Sequence, residues 1–330
     1  EMCIRDSVYG ASSPRMNVAD LRTKGWEASV TWGDSFTLAS KPFNYRIMAG
    51  IGDNTSKVTK YDNPNRTLTD PYEGQQLGEI WGYVVDGYFK TDEEARNYKV
   101  DQSFVNQMIN ASALDNGLHA GDLKFVDLDG NNKIEQTTSA NDRKDMKVIG
   151  NSLPRYNYNF GISADWYGID FSVLFQGIGK QNWYPGAETS MFWGPYSRPY
   201  ASFIPSDFMS QVWSEENTNA YFPRPRGYVA LGSNRELAVV NTKYLQNLAY
   251  CRLKNLSIGY TLPDKWLSKI GFEKIRVYFS GENLLTFTKL HSDYIDPEQA
   301  SASNSWKTSK SDANIYPWAK TYSFGVDITF

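Results

Sequence analysis

The residues best suited to chemistry are acidic and lie near the middle of the chain. Asp127, Asp129 and Asn131 alternate as the first calcium ligands of an EF-hand loop do. Such a loop has glycine at its sixth position and a bidentate glutamate at its twelfth, but here these positions are Asn132 and Thr138. The three residues are therefore weak metal candidates, and the alternative is an Asx-rich turn that tolerates left-handed backbone.

No catalytic constellation accompanies these acids. The two cysteines, Cys3 and Cys251, give no disulfide framework, and two isolated histidines, His119 and His291, are too few for a His-based metal or triad site. G-x-S-x-G, H-E-x-x-H and phosphate-loop motifs are missing. A β-rich glycoside hydrolase would need an acid and a base in one cleft, and the sequence nominates neither. We therefore expect no enzyme and no cofactor.

Composition narrows the class of protein further. The chain has 330 residues, a net charge of -3, 15% aromatic residues and a mean hydropathy of -0.53. No apolar run approaches the length of a membrane helix. Transmembrane β-strands alternate apolar and polar residues, so the mean hydropathy of a barrel is that of a polar chain. The near-neutral charge gives no argument for nucleic acid.

The last residues, Lys320 to Phe330, show the clearest alternation. A strand has a side-chain period of two, so this segment has one apolar and one polar face. It is typical of the closing strand of a transmembrane barrel, although an edge or core strand of a soluble sandwich is the alternative. The apolar set is Tyr322, Phe324, Val326, Ile328 and Phe330, and the polar set is Ser323, Gly325, Asp327 and Thr329.

Similar alternation recurs along the chain and predicts an all-β fold. Gly25–Trp32 and Phe43–Ile51 form one predicted hairpin, and Arg155–Gln176 forms another around a tight turn at Tyr167–Gly168. We expect about ten to twelve long antiparallel strands in an open, curved sheet, with the apolar face convex and the polar face concave. Short helices are expected near Asp92, Ser206 and Asp264, and a further strand over Ile80–Phe89.

The segment from Trp183 to Arg226 is predicted to be a long loop on the extracellular side, because outer loops of barrels are long and periplasmic turns are short. Its density of aromatic residues requires a packing partner. Self-packing is one alternative, and contact with a substrate or a lid is the other. The candidates for contact are Trp183, Trp193, Tyr196, Tyr200 and Trp213.

Four motifs and the chain end resemble, in order, the carboxy-terminal part of the SusC/RagA family of TonB-linked outer-membrane proteins, which are TonB-dependent receptors of Bacteroidetes-type bacteria. The motifs are G-D-L-K-F-V-D-L-D-G at Gly121–Gly130, V-I-G-N-S-L-P-R-Y-N-Y-N-F-G at Val148–Gly161, Y-L-Q-N-L-A-Y-C-R-L-K-N-L-S-I-G-Y-T-L-P at Tyr244–Pro263, I-R-V-Y-F-S-G-E-N-L-L-T-F-T at Ile275–Thr288 with Asp296-Pro297-Glu298, and G-V-D-I-T-F at Gly325–Phe330.

The resemblance implies roughly half of a 22-stranded barrel with a plugged lumen. It implies import of an oligosaccharide or a peptide across the outer membrane of a Gram-negative bacterium, beneath a SusD-like surface lipoprotein. The TonB complex would act through an amino-terminal part, with plug and TonB box, that is missing here. Tyr322, Phe324, Gly325, Val326, Ile328 and Phe330 resemble the signal that the barrel-assembly machinery reads.

Two further expectations concern the boundaries and the class of protein. Residues 1–7 resemble the translation of a sequencing adapter and are set aside, which leaves 8–330 as the barrel part. The alternative function is a secreted carbohydrate-binding β-sandwich, which would also be aromatic and strand-rich. Such a module would not need strands of about ten residues with an outward apolar face.

Overall fold

The structure is a computed structural model. It describes residues 17–105, 117–197, 204–225, 228–232, 235–267, 271–300, 310–311 and 316–330. The expected adapter segment, residues 1–7, lies outside this range.

Strands dominate the described residues. In chain order they are β1 (Ala19–Leu38), β2 (Lys41–Tyr61), β3 (Glu79–Tyr83), β4 (Val85–Tyr88), β5 (Leu123–Phe125), β6 (Met146–Asn151), β7 (Arg155–Trp166), β8 (Ile169–Lys180), β9 (Asn182–Pro185), β10 (Gln246–Asn247), β11 (Tyr250–Thr261), β12 (Lys274–Thr288), β13 (Lys310–Ser311) and β14 (Thr321–Thr329).

Seven strands form one antiparallel sheet in the order β1-β2-β7-β8-β11-β12-β14. Among the described residues neither β1 nor β14 pairs on its outer side, so the sheet is open. This confirms the predicted partial, up-and-down barrel sheet. The expected number of about ten to twelve long strands is wrong for the described residues. Much of the chain instead lies in three long excursions between long strands.

The hairpin at the start of the sheet is longer than predicted. The first predicted strand ends at Trp32, but Gly33 and Asp34 continue β1 and lie opposite Arg46 and Tyr45. The chain reverses instead at Ala39 and Ser40, which both have positive φ values of 50° and 64°. Left-handed backbone at both central residues matches the twist of paired strands, so it makes a tight two-residue turn.

The long excursions all leave the same end of the sheet. They span 62–154, 181–249 and 289–320, whereas the connections at the other end are 39–40, 167–168 and 262–273. The predicted strand Ile80–Phe89 lies in the first excursion and is split in two: β3 pairs with β6 and β4 pairs with β5. β9, β10 and β13 form a third small sheet.

Helices are short, as predicted. They are α1 (Asp92–Arg96), which Thr91 caps by accepting a hydrogen bond from the Glu94 N–H, α2 (Ser190–Trp193) and α3 (Asp264–Leu267). The expected helix near Ser206 is a 3-10 turn at Phe208–Gln211, and α2 was not expected. Among the described residues, no helix has the length and apolar character needed to cross a membrane.

A large hydrophobic core, here called the loop core, lies in the excursions. It draws side chains from all three, so distant segments of the chain pack together beyond one end of the sheet. Its largest fully buried members include Trp183, Trp193, Tyr184, Tyr196, Tyr244, Phe125 and Phe222.

Candidate functional site

The main sheet has one apolar and one polar face, as the alternation predicts. Directly paired residues share a face. Phe279 lies opposite both Ile258 and Phe324, and Ile162 lies opposite both Ile47 and Val173. The apolar face therefore runs unbroken across the sheet.

The apolar face is exposed. Phe324 is 82% accessible, and Phe330 is equally open. Other large exposed side chains of this face are Val30, Trp32, Phe36, Ile47, Phe160, Ile162, Ile169, Ile258, Val277, Tyr322, Val326 and Ile328. Soluble monomers rarely expose so large a contiguous apolar patch, and such a patch marks contact with a membrane or another apolar surface.

The polar face carries a row of small hydroxyl side chains. Five serines lie directly opposite one another on β7, β8, β11, β12 and β14, and none of these hydroxyls has a hydrogen bond within the described residues. Small, uncharged polar groups keep this face hydrophilic without filling the space in front of it. The row is Ser163, Ser172, Ser257, Ser280 and Ser323.

Charged groups occupy the same face nearer the short turns. Arg276 donates to Asp170 from Nη2 at 2.6 Å and from Nε at 2.8 Å, and to Asp327 from Nη1 at 3.2 Å. It reaches Asp170 by crossing Gly259 of β11. A Cβ on Gly259 would lie 2.5 Å from Asp170 Oδ1 and 2.6 Å from Arg276 Nε. Glycine is thus required for this three-residue bridge.

An open cavity of about 870 Å³ lies on the polar face, between β1, β2, β7 and β8. We call it the amide groove because Asn54, Asn157, Asn159 and Gln176 line it. The other polar-face residues that line the groove are Gly25, Glu27, Met48, Gly50, Gly52 and Leu174. Residues that alternate with these along the strands complete the lining. The polar face of the sheet is therefore concave at the groove.

The register of three strands assembles the groove. Asn159 of β7 lies opposite Gly50 of β2 and Gln176 of β8, while Asn157 lies opposite Gly52. A Cβ on Gly50 would lie 3.3 Å from the Asn159 Nδ2 atom, so glycine leaves room for that amide. The sequence placed Asn157 and Asn159 on the polar face, but it did not identify their neighbours Asn54 and Gln176.

The predicted substrate-contact residues lie in the loop core. Trp183 and Trp193 are fully buried, Tyr196 is 1% and Trp213 is 8% accessible, and Tyr200 lies outside the described residues. Trp193 donates to the Gly186 carbonyl oxygen at 2.9 Å, and Tyr196 donates to that of Pro223. Rings packed on all sides favour the self-packing alternative. Direct contact of these four with a substrate or a lid stays a prediction and requires the loop core to open.

The core also holds a partly buried cationic and aromatic cluster. Lys243 places Nζ 4.9 Å from the ring centre of Tyr88 and 5.5 Å from that of Tyr221. Burial lowers the pKa of Lys243. His291 stacks on Tyr221 with ring centres 3.5 Å apart, and burial lowers its pKa below 6.5. The cluster joins the first, second and third excursions.

The acidic segment folds as an Asx-rich turn. The two carboxylate oxygens of Asp127 accept the N–H groups of Gly130 and Asn132, each at 2.7 Å, and Asn132 has a φ of 62°. Asn131 donates its amide to Asp129 at 3.1 Å. These bonds use the predicted ligands inside the turn.

A third carboxylate, which the sequence did not identify, meets this turn. Ligand oxygens of Asp127, Asp129 and Asp145 lie within 4.8 Å of one another. Asp145 is buried and accepts the N–H groups of Leu128 and Glu135 at 2.9 and 2.7 Å. Burial raises its pKa, and the neighbouring carboxylates add to the effect. Since backbone donors already engage Asp127 and Asp145, a calcium site at Asp127, Asp129 and Asn131 stays a weak prediction.

The predicted assembly signal lies on the outermost strand. Tyr322, Phe324, Val326 and Ile328 of β14 project on the exposed apolar face, and Phe330 follows them. Gly325 lies on the polar face, where the Tyr278 ring covers it: a Cβ there would lie 2.4 Å from that ring. The role of this segment as an assembly signal stays a prediction.

These features define a class of protein. The main sheet is open and antiparallel, with an exposed apolar face, a concave polar face and long loops at one end. This architecture is a partial barrel of the TonB-dependent transporter type. The structure resembles the RagAB peptide importer in its "open-open" state with a TM-score of 0.64 and 19% identity, over 97% of this chain and 30% of that one. Against the "closed-closed" state the TM-score is 0.61 and the identity 21%.

Curated relatives agree with the fold. The chain is 27% identical over 340 residues to TonB-dependent receptor P3 of Formosa agariphila and 25% identical over 349 residues to TonB-dependent receptor P39 of the same organism. In each case 97% of this chain is matched. No family model matches. The resemblance to a SusC/RagA-like receptor fragment is confirmed, and the chain spans about 30% of the length of the relatives it matches.

Proposed function

We propose that this chain forms part of the barrel wall of an outer-membrane, TonB-dependent importer of a nutrient. The observation that carries the proposal is the exposed apolar band shared by all seven strands of the main sheet, with a hydrophilic face behind it. Strands with this two-sided character suit a wall between lipid and an aqueous interior. The similarity to TonB-dependent receptors supports the same function.

The nutrient is an oligosaccharide or a peptide. One solved structure with the same fold is described as a peptide importer, which is consistent with the peptide alternative. The expected partners are a SusD-like surface lipoprotein above the loop core, outer-membrane lipid around the apolar band, and the TonB complex, which acts through a part of the receptor outside this chain. The location is the outer membrane of a Gram-negative bacterium.

The secreted carbohydrate-binding sandwich is less well supported. A sandwich buries the apolar faces of two sheets against each other. Within the described residues, the main sheet keeps its apolar face open, and the large hydrophobic core lies in the excursions instead. An unpaired sheet of this size would aggregate in water through its open edges, so it requires the rest of the barrel and a bilayer.

Two variants of the complete receptor test the proposal. Phe324→Arg puts a charge on the apolar band, which costs about 2–4 kcal/mol at the bilayer midplane and less near the interfaces. The neighbouring Ser323→Arg puts the same charge on the polar face, where it is tolerated. We expect Phe324→Arg alone to reduce the heat-modifiable species in the sarkosyl-insoluble outer-membrane fraction. Equal behaviour of the two variants, or recovery of the unmodified receptor in the soluble fraction, would overturn the proposal.

A further inference from the structure

A surface of positive charge lies on the apolar side of the main sheet, at the end from which the long excursions leave. Arg22 of β1 pairs directly with Lys57 of β2, and Asp20 pairs with Lys60. Directly paired residues share a face, and alternation along β1 adds Lys24 to the same face. We call the four cations the basic strip. They are Arg22, Lys24, Lys57 and Lys60.

The basic strip continues the exposed apolar face beyond its outermost ring. On β1, Trp26 follows Lys24 by two residues and begins the apolar series that runs through Val30 to Phe36. From Trp26 to Phe36 the strand advances about 33 Å, at about 3.3 Å per residue. At a barrel tilt of about 40° this gives a height of about 25 Å, which is the height of the apolar band of an outer-membrane barrel. Trp26 therefore lies at one edge of the band, and Lys24 and Arg22 lie beyond it.

The strip lies at the depth of lipid headgroups. At the same tilt, Lys24 is about 5 Å and Arg22 about 10 Å above the apolar band. The headgroup region adds roughly 5–8 Å to each side of the hydrocarbon core, and long cationic side chains reach across the remaining few ångströms. Long loops of barrels lie on the extracellular side, so the leaflet at the strip is the outer one.

The pairing brings like charges together. Arg22 and Lys57 lie directly opposite each other, an arrangement in which like charges destabilise a sheet. Lys57 has Gln76 on its other side, so both of its neighbours across the sheet are described and neither is acidic. Within the described residues, none of the four cations forms an ion pair or a side-chain hydrogen bond. An anion bound between the two strands would offset this repulsion.

The nearby carboxylates leave the strip positively charged. Asp20 is paired into the strip and supplies one negative charge against four positive ones. Asp53 lies opposite Trp26, at the edge of the apolar band, and accepts hydrogen bonds from Nε and Nη2 of Arg155, so its charge is compensated. Glu27 alternates with Trp26 and therefore belongs to the opposite face. The surface is complementary to an anionic ligand.

We propose that the basic strip binds the phosphate groups of an anionic glycolipid of the lipid A type in the outer leaflet, with the acyl chains of that lipid on the apolar band beside Trp26. The inference rests on the proposed function, because it requires the receptor to lie in an outer membrane. Arginine binds phosphate through two parallel N–H groups, and lysine binds it as a point charge.

The position of the strip favours a lipid over a free anion. Cations of two adjacent strands lie directly beyond an apolar surface, so one ligand with a charged head and acyl chains contacts both. A strand that joins β1 in the complete receptor pairs with the free edge of β1 and leaves the lipid-facing side chains uncovered. Lys57 and Lys60 of β2 lie one strand further from that edge.

Lipid binding to the complete receptor tests the assignment. The probe is lipid A with two phosphates, added to delipidated receptor in a neutral detergent, and native mass spectrometry measures the affinity of the tightest site. Arg22→Gln/Lys57→Gln should weaken probe binding about thirtyfold and Lys57→Gln alone about fivefold, since each surface cation contributes roughly a factor of five. Lys41→Gln/Lys265→Gln removes the same charge at the opposite end of the sheet and should leave the affinity unchanged. A heat-modifiable band in each preparation shows that the barrel is folded.

The phosphate and the lipid parts of the probe are tested separately. Lipid A without phosphates should bind the unmodified receptor as weakly as the probe binds the double variant. Inorganic phosphate at the concentration of the probe should not displace it. Unchanged affinity in Arg22→Gln/Lys57→Gln, equal binding of the dephosphorylated lipid, displacement by inorganic phosphate, or no binding of the probe to the unmodified receptor would each contradict the assignment.

Photocrosslinking in cells locates the lipid. p-Benzoylphenylalanine in place of Thr55, which lies opposite Lys24, should crosslink to lipid A, whereas in place of Asn54, which projects on the polar face, it should not. Crosslinks from position 55 to protein alone would show that another part of the receptor covers the strip, and the assignment would be wrong. Outer-membrane fractionation of the same cells tests the proposed function independently. A receptor that fractionates correctly but fails the lipid tests loses only the assignment of the strip.

Discussion

Arg252 of β11 and Asp296 of the third excursion form a buried ion pair in which Nη2 donates to Oδ1 at 2.6 Å. Their side chains are 3% and 5% accessible. Arg252 also donates to Glu298 at 2.6 Å, and Asp296 accepts the Trp318 N–H at 3.2 Å. The pair therefore connects the main sheet, the Asp-Pro-Glu segment and the chain just before β14.

Replacing one partner of this pair should be costly. In Arg252→Met, Asp296 keeps a buried charge without its guanidinium, and loss of one partner of a buried pair typically costs about 3–5 kcal/mol. Lys254→Met is the control, because Lys254 is more accessible and, within the described residues, its hydrogen bonds go to Glu298, with its Nζ 5.8 Å from the centre of the Trp318 ring. The temperature at which the complete receptor loses its heat-modifiable band should fall clearly for Arg252→Met and little for Lys254→Met. Equal effects would contradict this reading.

The Asp170–Arg276–Asp327 bridge over β11 depends on glycine at position 259. Gly259→Ala would place its Cβ between Asp170 and Arg276, within 2.6 Å of both. Forcing extra atoms into such a contact typically costs about 1–3 kcal/mol. Gly33→Ala is the matched change on the same face, where the nearest atom lies 3.4 Å away. We expect Gly259→Ala to lower the yield of folded receptor in the outer membrane and Gly33→Ala to leave it unchanged.

Truncation of a core tryptophan separates packing from contact with a substrate. Trp193→Ala leaves a cavity in the loop core, and such changes typically cost about 3–5 kcal/mol. Surface abundance and uptake should fall together, since the excursions lose their shared core. Trp266→Ala is the control: it removes a ring that is 62% accessible, so surface abundance and uptake should both change little. Normal abundance with reduced uptake in Trp193→Ala would instead indicate direct contact with a substrate.

The loop core should loosen in mild acid. Partial burial lowers the pKa of His291 below 6.5; Asp293 and Asp207 oppose the shift, and Lys243 adds to it. The folded state thus favours neutral imidazole. The contribution of neutral His291 to the stability of the folded protein is fully present above the pKa that this histidine has in the unfolded chain. It is lost as the pH falls through the lower pKa that His291 has in the folded protein.

Limited proteolysis of the complete receptor measures this effect. Between about pH 7.5 and about pH 5, cleavage within the excursions should increase more in the unmodified receptor than in His291→Gln, which does not titrate. Glutamine keeps a hydrogen-bonding group near Gln211, whose Oε1 lies 2.8 Å from His291 Nε2. The same pH dependence in both proteins would show that other groups control the loosening.

Much of the main sheet was predictable because it depends on a local property. The period of two places Phe324 and Ser323 on opposite faces whatever the partners of their strand are. A tight turn at Tyr167–Gly168 was predictable for the same reason, and both residues indeed have positive φ values. The ends of the strands were harder to predict, since polar residues such as Gly33 and Asp34 continue a strand that its neighbour holds in register.

The sequence by itself determined the two faces of the sheet, the short turns and the resemblance to a receptor barrel, since each depends on residues close together in the chain. The tertiary structure alone decided which distant residues meet. Register across β2, β7 and β8 brings Asn159 beside Gln176, and packing of the excursions buries Trp183 and adds Asp145 to the Asp127 turn. These contacts join segments far apart in sequence, and no local pattern specifies them.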